Sequence, residues 1–167
     1  MRWFVRSDLD GFFGLALDNL VQLLLIDALC RYVLGLDAAL VRGHILPGTA
    51  IAVLIGNVFY ARQAVKLGRA EGRSDRCALP YGINTVSVFA FVFLVMWPAK
   101  LAAQAAGAAD PWCVAFRAGL VACFGSGLIE LAGAFVAERL RKITPRAALL
   151  STLAGIAIGF ISLGFLF

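Results

Sequence analysis

Five apolar stretches, separated by short polar or basic segments, set the pattern of the chain. They predict spans from Gly11 to about Leu34, Ile45 to Tyr60, the region ending at Trp97-Pro98, Pro111 to about Ala137, and Ala147 to Phe167. Four of the five open on ordinary apolar sequence or a turn residue. The third opens with Ala78-Leu79-Pro80-Tyr81-Gly82-Ile83-Asn84-Thr85-Val86-Ser87, which combines a proline, a glycine and several hydrogen-bonding side chains. Pro80 disfavours helix at Leu79 and Gly82 permits unusual backbone angles, so the chain is expected to be extended over Leu79 to Asn84 and helical from near Thr85. The helix left before Trp97 is then about ten residues, roughly 15 Å, which is half a bilayer. A half-helix starting at mid-membrane makes a polar site of the Gly82 and Asn84 backbone with the Asn84, Thr85 and Ser87 side chains. The alternative is an ordinary span with polar residues at its interfacial end.

Polar positions inside the other spans are few. Asp18, Asn19 and Gln22 fall within about one turn of the first span, which predicts a shared face turned to the protein interior. Solvation of Asp18 near the membrane interface is the other reading. Asp27 and Arg31 stand four apart and are expected to form a local pair. The second span has Asn57 as its only strong polar group, and His44, the single histidine, lies at its boundary, where an interfacial role outweighs a proton relay. Glu130 in the fourth span is either a bundle-facing carboxylate or a partner for the basic segment after it. Gly119, Gly125, Gly127, Gly133 and the Gly155-x-x-x-Gly159 spacing are small residues that let helices approach closely.

Composition agrees with this pattern: 62% of the residues are hydrophobic and 15% charged, far from a soluble domain. The net charge of +5 does not signal nucleic acid, because the basic residues lie between the apolar runs. Eleven of the fifteen Lys and Arg fall on the N-terminal segment, on Ala61 to Cys77 and on Glu138 to Arg146. That asymmetry predicts a cytoplasmic N-terminus, Ala61 to Cys77 as a cytoplasmic loop and Phe167 on the far side of an inner (plasma) membrane. The N-terminus lacks a signal-peptide pattern. Cys30, Cys77, Cys113 and Cys123 have no metal-ligand or paired spacing. No span carries a nucleophile and base in register, so an enzyme is not expected, nor is a metal or cofactor.

Three segments resemble the xanthine/uracil permeases, part of the nucleobase-cation symporter superfamily that also includes adenine/guanine/hypoxanthine permeases. Asp10 to Gln22 is similar to their first span, Leu79 to Thr85 to the broken start of their third, and Glu138 to Ile161 to the loop and Gly-Ile repeat of their fifth. The resemblance implies an all-α polytopic protein with two inverted repeats of seven spans, in which the third begins as a short strand and continues as a half-helix. It implies that residues 1–137 are core-domain spans one to four, that 138–167 are a loop and the first gate helix, and that the rest of the transporter is missing here. The function so implied is proton- or sodium-coupled uptake of a purine or related base. Gly82, Asn84, Thr85, Ser87 and Gln22 would meet substrate, and Asp18, Asn19 and Glu130 would serve coupling or structure. The expected partners are the nucleobase-like substrate, the lipid bilayer and the coupling ion, with a homodimer left open. An anion transporter of the same fold and a small structural membrane subunit are the alternatives.

Overall fold

The computed structural model describes residues 7–73, 76–145 and, beyond them, 147–148, 150–152, 154–155 and 158–159. These are helices and their connections; no strand occurs among the described residues. Four helical stretches are long and apolar enough to cross a membrane: Asp8–Val33, Ala38–Glu71, Thr85–Ala105 and Pro111–Leu140. The chain is thus a helical membrane protein. The fifth expected span, Ala147 to Phe167, falls largely outside the described residues.

The chain divides into two compact units at Asn84 and Thr85. In the first, helix α1 (Ser7–Ala28) ends in a wide π turn, Leu29–Val33, and α2 (Ala38–Leu40) runs through a second π turn, Val41–Ile45, into α3 (Leu46–Glu71). Helix α1 packs on α3. The buried positions of α1 and the start of its π turn are Asn19, Gln22, Ile26, Leu29 and Cys30, a stripe with the three- and four-residue spacing of one helical face. Leu34 and Val41, wholly buried, close the corner between the two helices. Asp27 lies there too, 3.1 Å from Arg31 Nη1 and 3.7 Å from Arg42 Nε. The expected Asp27–Arg31 pair therefore forms, with a second arginine drawn from α2's π turn.

In the second unit, α4 (Thr85–Ala90) passes through a π turn, Phe91–Met96, into α5 (Trp97–Ala105). After a short connection the chain returns as α6 (Pro111–Ile143), on which α5 and the π turn pack. The closest approach is at Gly119, where an added Cβ would lie 2.9 Å from Met96 Sδ. A side chain there would make the flexible end of Met96 shift.

Three expected boundaries are corrected. The second span is not a short helix over Ile45 to Tyr60 but a continuous one from Ala38 to Glu71, because residues 61–71 are mostly helix formers (Gln63, Ala64, Lys66, Leu67, Arg69, Ala70). Residues 61–71 of the expected cytoplasmic loop are thus helix. It stops at Gly72, whose φ of 64° suits a left-handed cap, with Arg73 N–H bonded to Gly68 O and Gly72 N–H to Arg69 O. The third span does not end at Trp97-Pro98. Pro98 follows a π turn in which Trp97 N–H reaches back to Val92 O, a wider turn that relieves the clash between a proline ring and the carbonyl four residues earlier. Helix continues to Ala105, so the expected half-helix is 21 residues long and crosses on its own. Likewise α6 runs past Ala137 to Ile143, taking up Glu138 to Lys142 with a Lys142–Glu138 pair at 2.9 Å.

Candidate functional site

The expected non-helical lead-in to the third span is present, but it precedes a helix long enough to cross on its own and so does not break the span. Residues 76–84 are non-helical and helix begins at Thr85, with Pro80 and Gly82 in the segment before it. What holds that segment is a pair of asparagines. Asn57 on α3 donates from Nδ2 to its own helix at Val53 O (2.9 Å) and to Tyr81 O (2.7 Å), and accepts at Oδ1 from Tyr81 N–H (3.3 Å). Two carbonyls at the amide nitrogen fix which way the side chain points, and both its N–H groups are used. Asn19 on α1 repeats the arrangement: Nδ2 donates to Leu15 O (2.8 Å) and Oδ1 accepts from Ile83 N–H (3.2 Å). Each asparagine anchors itself four residues back and turns the rest of its amide to the segment.

The residues so bound, Tyr81 and Ile83, are two apart, the alternation of an extended strand with one edge paired. Side-chain amides here supply the hydrogen bonds that a neighbouring strand would give, to a segment that is non-helical and has no sheet beside it among the described residues. Two glycines make the approach possible. A Cβ on Gly82 would lie 3.1 Å from Asn19 Oδ1 and 3.3 Å from its Nδ2. A Cβ on Gly56 would lie 2.6 Å from Tyr81 Cγ, inside the ring's van der Waals envelope. The Tyr81 ring lies over Gly56, and Tyr60, one turn on, faces it at 5.9 Å between centroids.

Gln22 shares the buried face with Asn19; each is 8% exposed. Its Oε1 is buried with no hydrogen-bond partner among the described residues. A buried acceptor without a donor costs about 1–3 kcal/mol, so this atom is an open valence beside the Asn19 clamp. Asp18 does not join them. It was expected on the interior face with Gln22, and it is exposed. The stripe is centred between Asn19, Ile26 and Cys30, and a residue one position before Asn19 is turned about 100° away from it.

Asn84 is exposed at the end of the first unit, and Thr85 and Ser87 are half-buried at the start of the second. Glu130 is exposed on α6 and accepts a long hydrogen bond from Ser126 Oγ at 3.5 Å, so it is not a bundle-facing carboxylate in this structure. Asn57, Gly56 and Tyr81 were absent from the expected site. The signal for them was Gly56-Asn57, a small residue beside an amide in an otherwise apolar helix.

The depth of the clamp follows from the charges on α2 and α3. Between Arg42 and Arg62 no residue is acidic, Lys or Arg, and the twenty-residue step covers about 30 Å, the thickness of the hydrocarbon core. Asn57 is five residues from Arg62. Counted along the helix, the clamp lies about 8 Å inside the end of this charge-free stretch. No family model, curated protein or solved structure matches the chain.

Proposed function

We propose that the protein is a secondary transporter of the permease type, with Leu79 to Asn84 as the element that meets substrate. The observation that carries this reading is the double clamp: Asn57 and Asn19, on two membrane-length helices, are both committed to holding non-helical backbone. Such backbone at membrane depth is tolerated only in a protein interior or beside a water-filled cavity, and transporters use it to present peptide groups to a ligand. Gly82 lies between the two clamped residues.

The substrate class is a purine-like planar base, taken up with a proton or sodium ion across the inner membrane, from a cytoplasmic N-terminus and within the seven-plus-seven inverted repeat. In the first unit Gly82 and Asn84 are assigned to substrate, with Gln22 Oε1 as an acceptor suited to a ring N–H; Thr85 and Ser87, at the start of the second unit, are assigned to it from the sequence pattern. Asn19 is assigned a positioning role, Asp18 a coupling role, and Glu130 a structural one. The test is uptake of radiolabelled guanine against radiolabelled sulfate by the full-length protein in proteoliposomes. Guanine uptake that falls sharply in Asn84→Leu, with normal membrane insertion, is the expected result; sulfate uptake alone, or neither, overturns it.

A further inference from the structure

We infer that the outward face of the α3 end, around Arg62 and Lys66, is a docking surface for anionic phospholipid headgroups. The inference does not depend on the transport reading. It starts from length: Ala38–Glu71 is 34 residues, about 51 Å at ~1.5 Å per residue, against a hydrocarbon core of about 30 Å. The surplus lies at the Arg62 end, because the charge-free stretch from Arg42 to Arg62 already fills the core. Residues 62–71 therefore emerge at headgroup level and beyond while still helical.

Helical register then decides which way their charges face. Arg62, Lys66 and Arg69 follow one another at four and three residues and form one stripe. Lys66 is nine residues from Asn57, which at about 100° per residue places it on the opposite side of α3 from the clamp. The inner face of the helix carries Gly56, Asn57, Tyr60 and the buried Gly68; the outer face carries the basic stripe, and Arg62 and Lys66 are exposed. The one acidic residue of this helical end, Glu71, is also about 180° from the Arg62 direction and pairs with Arg76, whose Nε is 2.7 Å from Glu71 Oε2. The stripe is thus positive, turned away from the clamped segment, and set at the depth of phosphates. An acidic protein partner would meet it in the aqueous phase, but Arg62 sits at the hydrocarbon boundary itself, which favours a lipid.

The consequence is a lipid dependence of the clamp. Anionic headgroups bound at Arg62 and Lys66 fix the depth and rotation of α3, and the same helix carries Asn57 about a turn and a half away. The test uses the full-length protein in phosphatidylcholine vesicles doped with spin-labelled phosphatidylglycerol or spin-labelled phosphatidylcholine, reading the motionally restricted fraction of each. The expected result is a preference for phosphatidylglycerol that falls roughly fivefold per residue in R62Q and K66Q, the factor that corresponds to about 1 kcal/mol per basic residue. The charge-conserving double variant R62K/K66R keeps it, which separates lost charge from lost fold. Inorganic phosphate at millimolar concentration leaves the preference in place. Equal preference in wild type and in R62Q/K66Q overturns the inference; so does full displacement by inorganic phosphate, which would make the site one for a soluble anion.

Discussion

Asn57 and Tyr81, 24 residues apart, exchange two hydrogen bonds, the amide of one reproducing the pairing of a β-strand for the other. Asn57→Leu removes both bonds and leaves the Tyr81 peptide unpaired. At this exposed pair a hydrogen bond is worth about 0.5–1.5 kcal/mol, so amide exchange at Tyr81 should speed up roughly 2- to 13-fold. Exchange measured by mass spectrometry on the peptide covering 78–84 checks this, with residues 111–120 of α6 as the unchanged reference. Asn57→Asp should recover part of the protection, since it keeps the acceptor for Tyr81 N–H and loses the donor to Tyr81 O.

Two glycines of α3 should respond in opposite ways to alanine. A Cβ at Gly56 meets the Tyr81 ring, whereas one at Gly48 meets nothing within 4 Å. Gly48→Ala therefore shows only helix propensity and should stabilise by up to about 1 kcal/mol. Gly56→Ala must push the ring aside and break the Asn57–Tyr81 register, so it should lower the melting temperature in detergent despite the same gain in propensity. Equal melting temperatures for the two variants would mean that Tyr81 moves away at no cost.

The membrane class, the break before Thr85 and the Asp27–Arg31 pair were legible in the sequence because each rests on a local rule: hydropathy, the backbone limits of Pro80 and Gly82, and four-residue helical spacing. The helix ends were not. Runs such as Ala61 to Glu71 are basic enough to read as loop and yet rich in helix formers, and composition alone does not say which property wins. The prolines misled for a related reason, since a π turn lets Pro47 and Pro98 sit inside long helices that they would otherwise end. Asn57 was legible as a polar residue but not as a clamp, because its partner lies 24 residues away and no periodicity joins them. Asp18 was placed wrongly by a margin of one residue, which on a helix is a quarter-turn.

The two prolines share a register that assigns the π turns to them. Leu46 N–H bonds Val41 O just before Pro47, and Trp97 N–H bonds Val92 O just before Pro98. Pro98→Ala should let Phe91–Met96 rewind to an α-helix, dropping one residue from the turn and rotating Met96 by about 100° relative to α5. Met96 would then leave Gly119. Oxidative cross-linking of the Met96→Cys/Gly119→Cys pair should succeed with Pro98 in place and fail in Pro98→Ala. An unchanged yield would show that packing on α6, rather than the proline, sets the wide turn.

Asn19 and Asp18 are neighbours in sequence whose substitutions should separate positioning from coupling. Asn19 is buried and spends its amide on Leu15 O and Ile83 N–H, while Asp18 is exposed about a quarter-turn away. Asn19→Ala removes the acceptor for Ile83 N–H at a site that water reaches poorly, so exchange at Ile83 should rise by about tenfold or more, the effect of one buried hydrogen bond. Asp18→Asn, equal in size and outside that network, should leave the exchange of Ile83 and Tyr81 unchanged. Guanine uptake adds the functional arm. Asn19→Ala should lose uptake together with its protection at Ile83, because the segment is no longer held. If Asp18→Asn also loses uptake while its exchange pattern stays that of the wild type, the carboxylate acts on the coupling ion and not on the segment. If it transports normally, Asp18 is an interfacial anchor and the coupling group must be sought elsewhere.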